Sequence, residues 1–297
     1  MIPNTCFRRA LVMVSLTVAI GLAQTSETVT VSRSVEPIQL DGRLDEPAWQ
    51  SALVLKLTQQ SPHPREATPY TAEVRVILAG DRLYFGIICH DPEPGKIAIH
   101  TMQRDAPMTG DDSVSIALDT YGDKRTGYFF QVNAAGARTD GLISSPDGPA
   151  YDWDGIWDAR TARLDNGWSA EIVIPARTLS FTPGLDTWGL NIERFVPREG
   201  RIVLRWASPT LDSQLCDMSR AGAIAGMGEL QQGLGIEFSP FAIGRMKTGF
   251  SHSTRAWQGS GGFDFTWKKY PVRLSPYVSR AMLTLSSPVI ESSRCML

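Results

Sequence analysis

Between Asp111 and Gly141 the chain reads DDSVSIALDTYGDKRTGYFFQVNAAGARTDG, and the alternation inside this stretch limits what the whole can fold into. Val114, Ile116 and Leu118 alternate with Ser113, Ser115, Ala117 and Asp119, the period of a strand with one buried face. Turn residues Gly122, Asp123 and Gly127 follow, and Tyr128 to Val132 supplies an aromatic and β-branched run for the returning strand. The predicted hairpin has an apolar inner face and a polar rim of Asp111, Asp112, Ser115, Gln131 and Asn133. Such a rim either binds a ligand or cation or is simply the wet face of a sandwich strand.

The same period recurs along the chain. Ala72 to Leu78 and Arg82 to Cys89 flank the turn Ala79-Gly80-Asp81, with Val74, Val76 and Leu78 facing one way and Glu73, Arg75 and Ile77 the other. In Gly167 to Ile174, Trp168, Ala170, Ile172 and Ile174 share a face opposite Ser169, Glu171 and Val173. Thr187 to Phe195 and Arg201 to Ala207 complete the series. Many short strands between turn signals, with no long helical periodicity, predict an all-β fold, an antiparallel β-sandwich. Upstream, Asp41-Gly42 forms a tight turn, Asp45-Glu46-Pro47 reads as the acidic first turn of a short helix, and Trp49 plugs it onto the sandwich.

Two places suggest chemistry. The loop Ser144 to Asp158 sets Trp153 and Trp157 among carboxylates, and an aromatic ring beside acceptors is what a sugar platform needs. Trp153 is the candidate platform and Trp157 a core plug, with a core role for both as the alternative. In the turn DTYGDKRTG, Asp119 and Asp123 offer oxygen ligands together with turn carbonyls, the donor type of a calcium site; a solvated acidic turn is the other reading. No G-x-S-x-G, H-E-x-x-H or phosphate loop occurs. The acidic residues single out no glycosidase pair, so no enzyme activity is expected.

Composition narrows the setting. A net charge of −2 over 297 residues argues against a nucleic-acid partner. Arg8 and Arg9 precede the apolar run Ala10 to Ala23, which ends Gly21-Leu22-Ala23, the pattern of a cleaved secretory signal over residues 1–23. An uncleaved anchor is the alternative, although the run falls short of the roughly 20 residues a spanning helix needs. Cys89 and Cys216 either form a disulfide in an oxidising compartment or stay as buried free thiols. The four histidines show no metal-ligand spacing.

In this order, LDGRLDEPAWQSA (Leu40 to Ala52), AEVRVILAGDRLYFGIICHD (Ala72 to Asp91), the central hairpin, GWSAEIVIPARTLSF (Gly167 to Phe181) and WGLNIERF resemble carbohydrate-binding module family 9. The likeness is to the amino-terminal module of large exported bacterial proteins with a barrel-like carboxy-terminal domain. It covers roughly Val35 to Gly228 and implies structural calcium, with Asp45 and Glu46 as further candidates, and sugar or polysaccharide ends as ligand. It also implies site positions. The two clamping tryptophans of sugar-binding members match Thr109 and about Leu215, the family's carboxylate matches Ser115, and its Arg-x-Asn pair matches Gln131 and Asn133.

The expected domains are a signal at 1–23, the sandwich at 24–228 and the start of an outer-membrane-barrel-like domain at 229–297. Glu229 to Gly244 and Gly259 to Trp267 are alternating and Gly-rich like barrel strands, too few to close even the smallest barrel of about eight strands. Gly262 to Trp267 is expected to join the sandwich's edge or lie loosely against it. From Lys268 the pattern is lost, which reads as a truncated or frameshifted end or as a genuine short relative. The implied function is an exported module that binds a sugar end non-catalytically, in the periplasm or outer membrane of a Gram-negative bacterium, as the head of a larger envelope protein. The alternatives are a structural domain of that protein, or an accessory domain of a glycoside hydrolase acting on O-glycosyl bonds.

Overall fold

The computed structural model describes residues 28–198, 200–231, 236–248, 255–267 and 281–286, the last three stretches as backbone strands. The proposed signal at 1–23 lies outside the described residues. The chain runs β1 (Thr28–Thr30), β2 (Ser32–Arg33), helix α1 (Pro47–Ser51), β3 (Val54–Lys56), β4 (Thr58–Ser61), β5 (Thr71–Ala79) and β6 (Arg82–His90). Then follow β7 (Ser113–Asp119), β8 (Gly127–Asn133), β9 (Arg138–Ser145), β10 (Gly148–Ala150), β11 (Asp158–Leu164) and β12 (Gly167–Pro175). β13 (Thr187–Val196), β14 (Ile202–Arg205) and β15 (Gly222–Ala225) complete two packed sheets. The larger has the order β1-β15-β13-β7-β8-β9-β10, with β14 on β13 and β4 on β14. The smaller runs β11-β12-β6-β5-β2, with β3 also on β5.

The expected inward residues meet between the sheets. Val114, Ile116 and Leu118 of β7 pack with Val74, Phe85, Ile87, Trp168 and Ile172 in one core, each below 1 % exposure. One pair of charges is sealed in with them. Asp112 accepts from Arg194 Nε at 3.2 Å and Nη2 at 3.0 Å, and from Trp168 Nε1 at 3.0 Å. Asp112 and Arg194 are both fully buried, so Asp112 belongs to the interior and not to the rim. Burial pushes its carboxyl pKa up against the pull of the guanidinium.

The outer face of the smaller sheet is covered as well. The helix begins at Pro47, just after the two acidic residues, and carries Trp49 onto Ile77, Tyr84 and Val173. Beneath it Glu171, wholly buried, accepts from the backbone N–H of Asp41 and Gly42, each at 2.8 Å, and from Trp49 Nε1 at 2.9 Å. Gly42 sits at φ +92°, and a Cβ there would lie 2.6 Å from the backbone of Thr161. Only glycine permits that approach.

The structure corrects several expectations. The sandwich is mixed: β1 pairs parallel to β15, and β2 parallel to β5. No hairpin turn delivers these first strands to their partners, so nothing forces an antiparallel match. Of the two readings for Cys89 and Cys216, the structure agrees with buried free thiols. Cys89 belongs to the core between the sheets and Cys216 to a cluster on the far side of the larger sheet, which therefore stands between the two thiols. Burial raises both thiol pKa values to about 12. The sandwich core runs past Gly228 to include Leu230, and Glu229 pairs with Arg33.

Beyond it, β16 (Ile236–Thr248), β17 (Arg255–Trp267) and β18 (Ala281–Ser286) form an antiparallel sheet of their own. Gly262 to Trp267 thus pairs with β16 and not with the sandwich edge, because adjacent strands joined by a short connection satisfy each other first. A regular strand, β18, also occurs after Lys268, where the sequence pattern had faded.

Candidate functional site

The outward side chains of the larger sheet form the floor of an open cleft of about 660 Å³. Register creates that floor. Arg205 lies opposite Glu193, Glu193 opposite Ser115, Ser115 opposite Gln131, and Gln131 opposite Thr139. One polar row therefore crosses β14, β13, β7, β8 and β9, and all five residues line the cleft. At about 4.8 Å per strand the row is about 19 Å long. It alternates donors with acceptors. Arg205 pairs with Glu193 through Nη2 and donates from Nη1 to Ser213 O and Oγ, both at 2.9 Å. Its Nε is buried without a hydrogen-bond partner among the described residues. Ser115 Oγ has no such partner either, and Gln131 makes one long bond, from Nε2 to Ser113 Oγ at 3.3 Å. Ser115 and Gln131 are therefore the groups the floor offers to a ligand.

The two ends of the row differ. At the β9–β10 end stand the exposed carboxylates Asp105 and Asp147 with the ring of Tyr151, 60 % exposed. Tyr151 is propped edge-on against Phe129, centroids 6.1 Å apart and planes at 84°. At the β13–β14 end, Arg201 lies over the Phe195 ring at 5.2 Å. The loops that build the walls are latched by Arg104. Its Nη2 donates to Asp140 at 3.0 Å, to Asp154 and to Gly155 O, while Asp140 accepts from Gly155 N at 2.5 Å.

Of the residues named from sequence, Thr109, Ser115 and Gln131 come together at this cleft. Leu215 also lines it, but as a buried floor piece packed with Phe129 and Met218 rather than a projecting platform. Asp111 and Asn133 do not reach the cleft. Asn133 Nδ2 donates to Asp111 Oδ2 at 2.6 Å and to Thr101 O at 2.8 Å, and its Oδ1 accepts from Ala135 and Ala137 N–H. Asp111 further accepts from His100 N and Nδ1. Burial alone would raise its pKa, yet these donors outweigh it and hold the carboxylate below its ordinary value. The pair pins the 100–111 loop to β8. Trp153 faces the other way, tilted on Tyr128 at 5.0 Å and edge-on to Phe130 at 5.9 Å. Trp157 is 5 % exposed in the core.

Two of the four candidate calcium ligands, Asp119 and Asp123, are taken up by the donors of their own turn. Asp119 accepts the N–H groups of Tyr121, Gly122 and Lys124, and Asp123 those of Arg125 and Thr126 with the Thr126 hydroxyl. Glu46 accepts Gln39 N–H at 3.0 Å. Carboxylates ringed by N–H donors stabilise turns and leave little room for a metal. Asp45 is exposed, and among the described residues no three His, Cys, Asp or Glu side chains converge as a metal site.

No family profile and no curated protein matches the chain. Solved structures do. A carbohydrate-binding module of family 9 from Caldicellulosiruptor kristjanssonii, solved with cellotriose, aligns at 19 % identity and TM-score 0.50, over 67 % of this chain and 93 % of that one. The chain is similar in fold to family 9 carbohydrate-binding modules. A Bacteroides uniformis protein whose crystal structure is named that of a "putative carbohydrate-binding protein" gives TM-score 0.55 at 12 % identity over 68 % of this chain and 99 % of that one. The family 9-like part is thus about two thirds of the chain, the share taken up by the two-sheet sandwich.

Sequence reasoning missed Tyr151, Glu193, Arg201, Arg205 and Thr139. The alternation Gly189, Asn191, Glu193, Phe195 marked one face of β13, but only the strand order reveals that this face adjoins Ser115.

Proposed function

We propose that the sandwich is a non-catalytic carbohydrate-binding module that holds a saccharide in the cleft on its larger sheet. The polar row from Arg205 to Thr139 carries this reading. It sets donors and acceptors at strand spacing along an open floor with an aromatic ring at one end, the combination that sugar hydroxyls and the apolar face of a pyranose require. The cellotriose held by the Caldicellulosiruptor module supports the same ligand class. Hydrolysis is not part of the proposal, since the floor carboxylate, Glu193, is bound up with Arg205.

Titration calorimetry of the full chain with glucose and cello-oligosaccharides tests it. Binding is expected, and Gln131→Ala combined with Ser115→Val is expected to weaken it by about tenfold, the worth of one or two hydrogen bonds. No heat from any saccharide in a broad panel would sink the reading.

The finer setting is proposed on sequence grounds: export guided by Arg8, Arg9 and the Ala10 to Ala23 run, and a place at the periplasmic face of a larger envelope protein. Amino-terminal sequencing of the periplasmic fraction should give a start near Gln24; Met1 would overturn export with cleavage.

A further inference from the structure

The cleft is polarised along its row, and that polarity bears on which saccharide it takes. Arg201 and Arg205 stand at the β13–β14 end, Asp105 and Asp147 at the β9–β10 end. Two of these charges are already answered. Arg205 is tied to Glu193, and Asp105 lies 3.3 Å from Arg104 Nε. Arg201 differs: it is exposed, and among the described residues it makes no ion pair or side-chain hydrogen bond.

Its placement is nevertheless defined. Arg201 sits at φ 65° and the preceding Gly200 at φ 90°, a left-handed pair in which a non-glycine residue is uncommon. That turn lays the guanidinium over Phe195. With the ring beneath it and no partner among the described residues, the guanidinium keeps its N–H fork open, the edge that matches a carboxylate with two parallel hydrogen bonds.

We propose that the ligand is an acidic saccharide, with a uronic acid carboxylate held by the Arg201 fork and neutral ring hydroxyls running along the row toward Tyr151. This rests on the carbohydrate-binding reading above and goes beyond it by naming the sugar class and its direction in the cleft. A neutral sugar would leave the fork facing water. Reversing an acidic one would set its carboxylate against Asp105 and Asp147, which fixes the orientation.

The test compares two β-linked disaccharides, alike except that one ends in glucuronic acid and the other in glucose, by titration calorimetry on the full chain. The acidic one is expected to bind about tenfold tighter, as a charge-assisted bidentate pair allows, with the difference shrinking as salt is raised. Arg201→Met should bring the ratio of the two affinities towards one. Arg201→Lys should keep part of it, because the charge remains while the fork is lost. Arg177→Met, on a distant exposed arginine, should keep all of it. Equal affinities in the parent chain, or a ratio untouched by Arg201→Met in a chain with an unchanged melting profile, would overturn the proposal and leave sugar binding standing. Silence from both disaccharides would overturn this proposal, and only silence from the broad saccharide panel would overturn the carbohydrate-binding reading with it. Acetate competing as well as the uronide would reduce the site to a bare anion hole and also overturn it.

Discussion

Tyr151 and Trp153 stand two positions apart in one loop and meet opposite environments. Tyr151 presents its ring to the cleft, while Trp153 lies against Tyr128 and Phe130. Their alanine variants should separate accordingly. Tyr151→Ala is expected to leave the denaturation midpoint close to its parent value and to cost about 1–2 kcal/mol of sugar binding, the scale of one stacked ring. Trp153→Ala should instead cost about 3 kcal/mol of stability, as large-to-small changes at packed aromatics do. Calorimetry and urea unfolding on both variants check the split, and a Trp153→Ala chain that is fully stable but blind to sugar would reverse it. The choice between these two rings was not legible in the sequence. Alternation assigns faces only within a strand, and the 151–157 loop has no period. The inward residues Val114, Ile116 and Leu118 were legible because β7 does have one.

At the scale of elements, the segment from Asp41 to Trp49 docks on the smaller sheet with one buried carboxylate, Glu171, beneath it. Burial pushes the Glu171 pKa up to about 7, against the pull of the Gly42, Asp41 and Trp49 donors. A carboxyl whose folded pKa exceeds its unfolded value holds its proton more tightly when folded. Its contribution to stability is full below about 4.5 and is lost as pH rises towards 7. Urea midpoints should therefore fall across that window, and Glu171→Gln, which stays neutral throughout, should flatten the decline. A variant as pH-dependent as its parent would show that Glu171 is ionised at all these pH values. The strands themselves and the faces of β5, β7 and β12 followed from alternation. The site did not, because it depends on strand order: Glu193 and Ser115 are adjacent only across the β13–β7 pairing. Asp112 was misplaced for a related reason. It falls just ahead of β7 on the inward parity, where only its distant partner Arg194 makes burial tolerable.

For the whole molecule, the last of the described residues to join the sandwich core is Leu230. A chain ended after Gln231 should melt with the same midpoint as the longer one. Ending it at Gly228 removes a core leucine and the Arg33–Glu229 pair, and should cost about 1.5–3 kcal/mol, nearly all from the lost apolar burial. Calorimetric scans of the two shortened chains decide it; equal midpoints would show that Leu230 adds nothing. The parallel pairing of β1 with β15 has a consequence in time. Thr28 lies beside Ala223 and Thr30 beside Ala225, so the first strand of the sandwich has its seat only once nearly all of the rest has been made. Contacts of such sequence separation form slowly. A chain emerging amino end first can seat β2 on β5 once Ile77 and Leu78 are made, but keeps β1 unclaimed until β15 arrives, and without β1 the stitch that joins one sheet to the other is missing. Whatever handles the nascent protein, chaperone or translocation channel, meets an unlocked sandwich until residue 225 arrives.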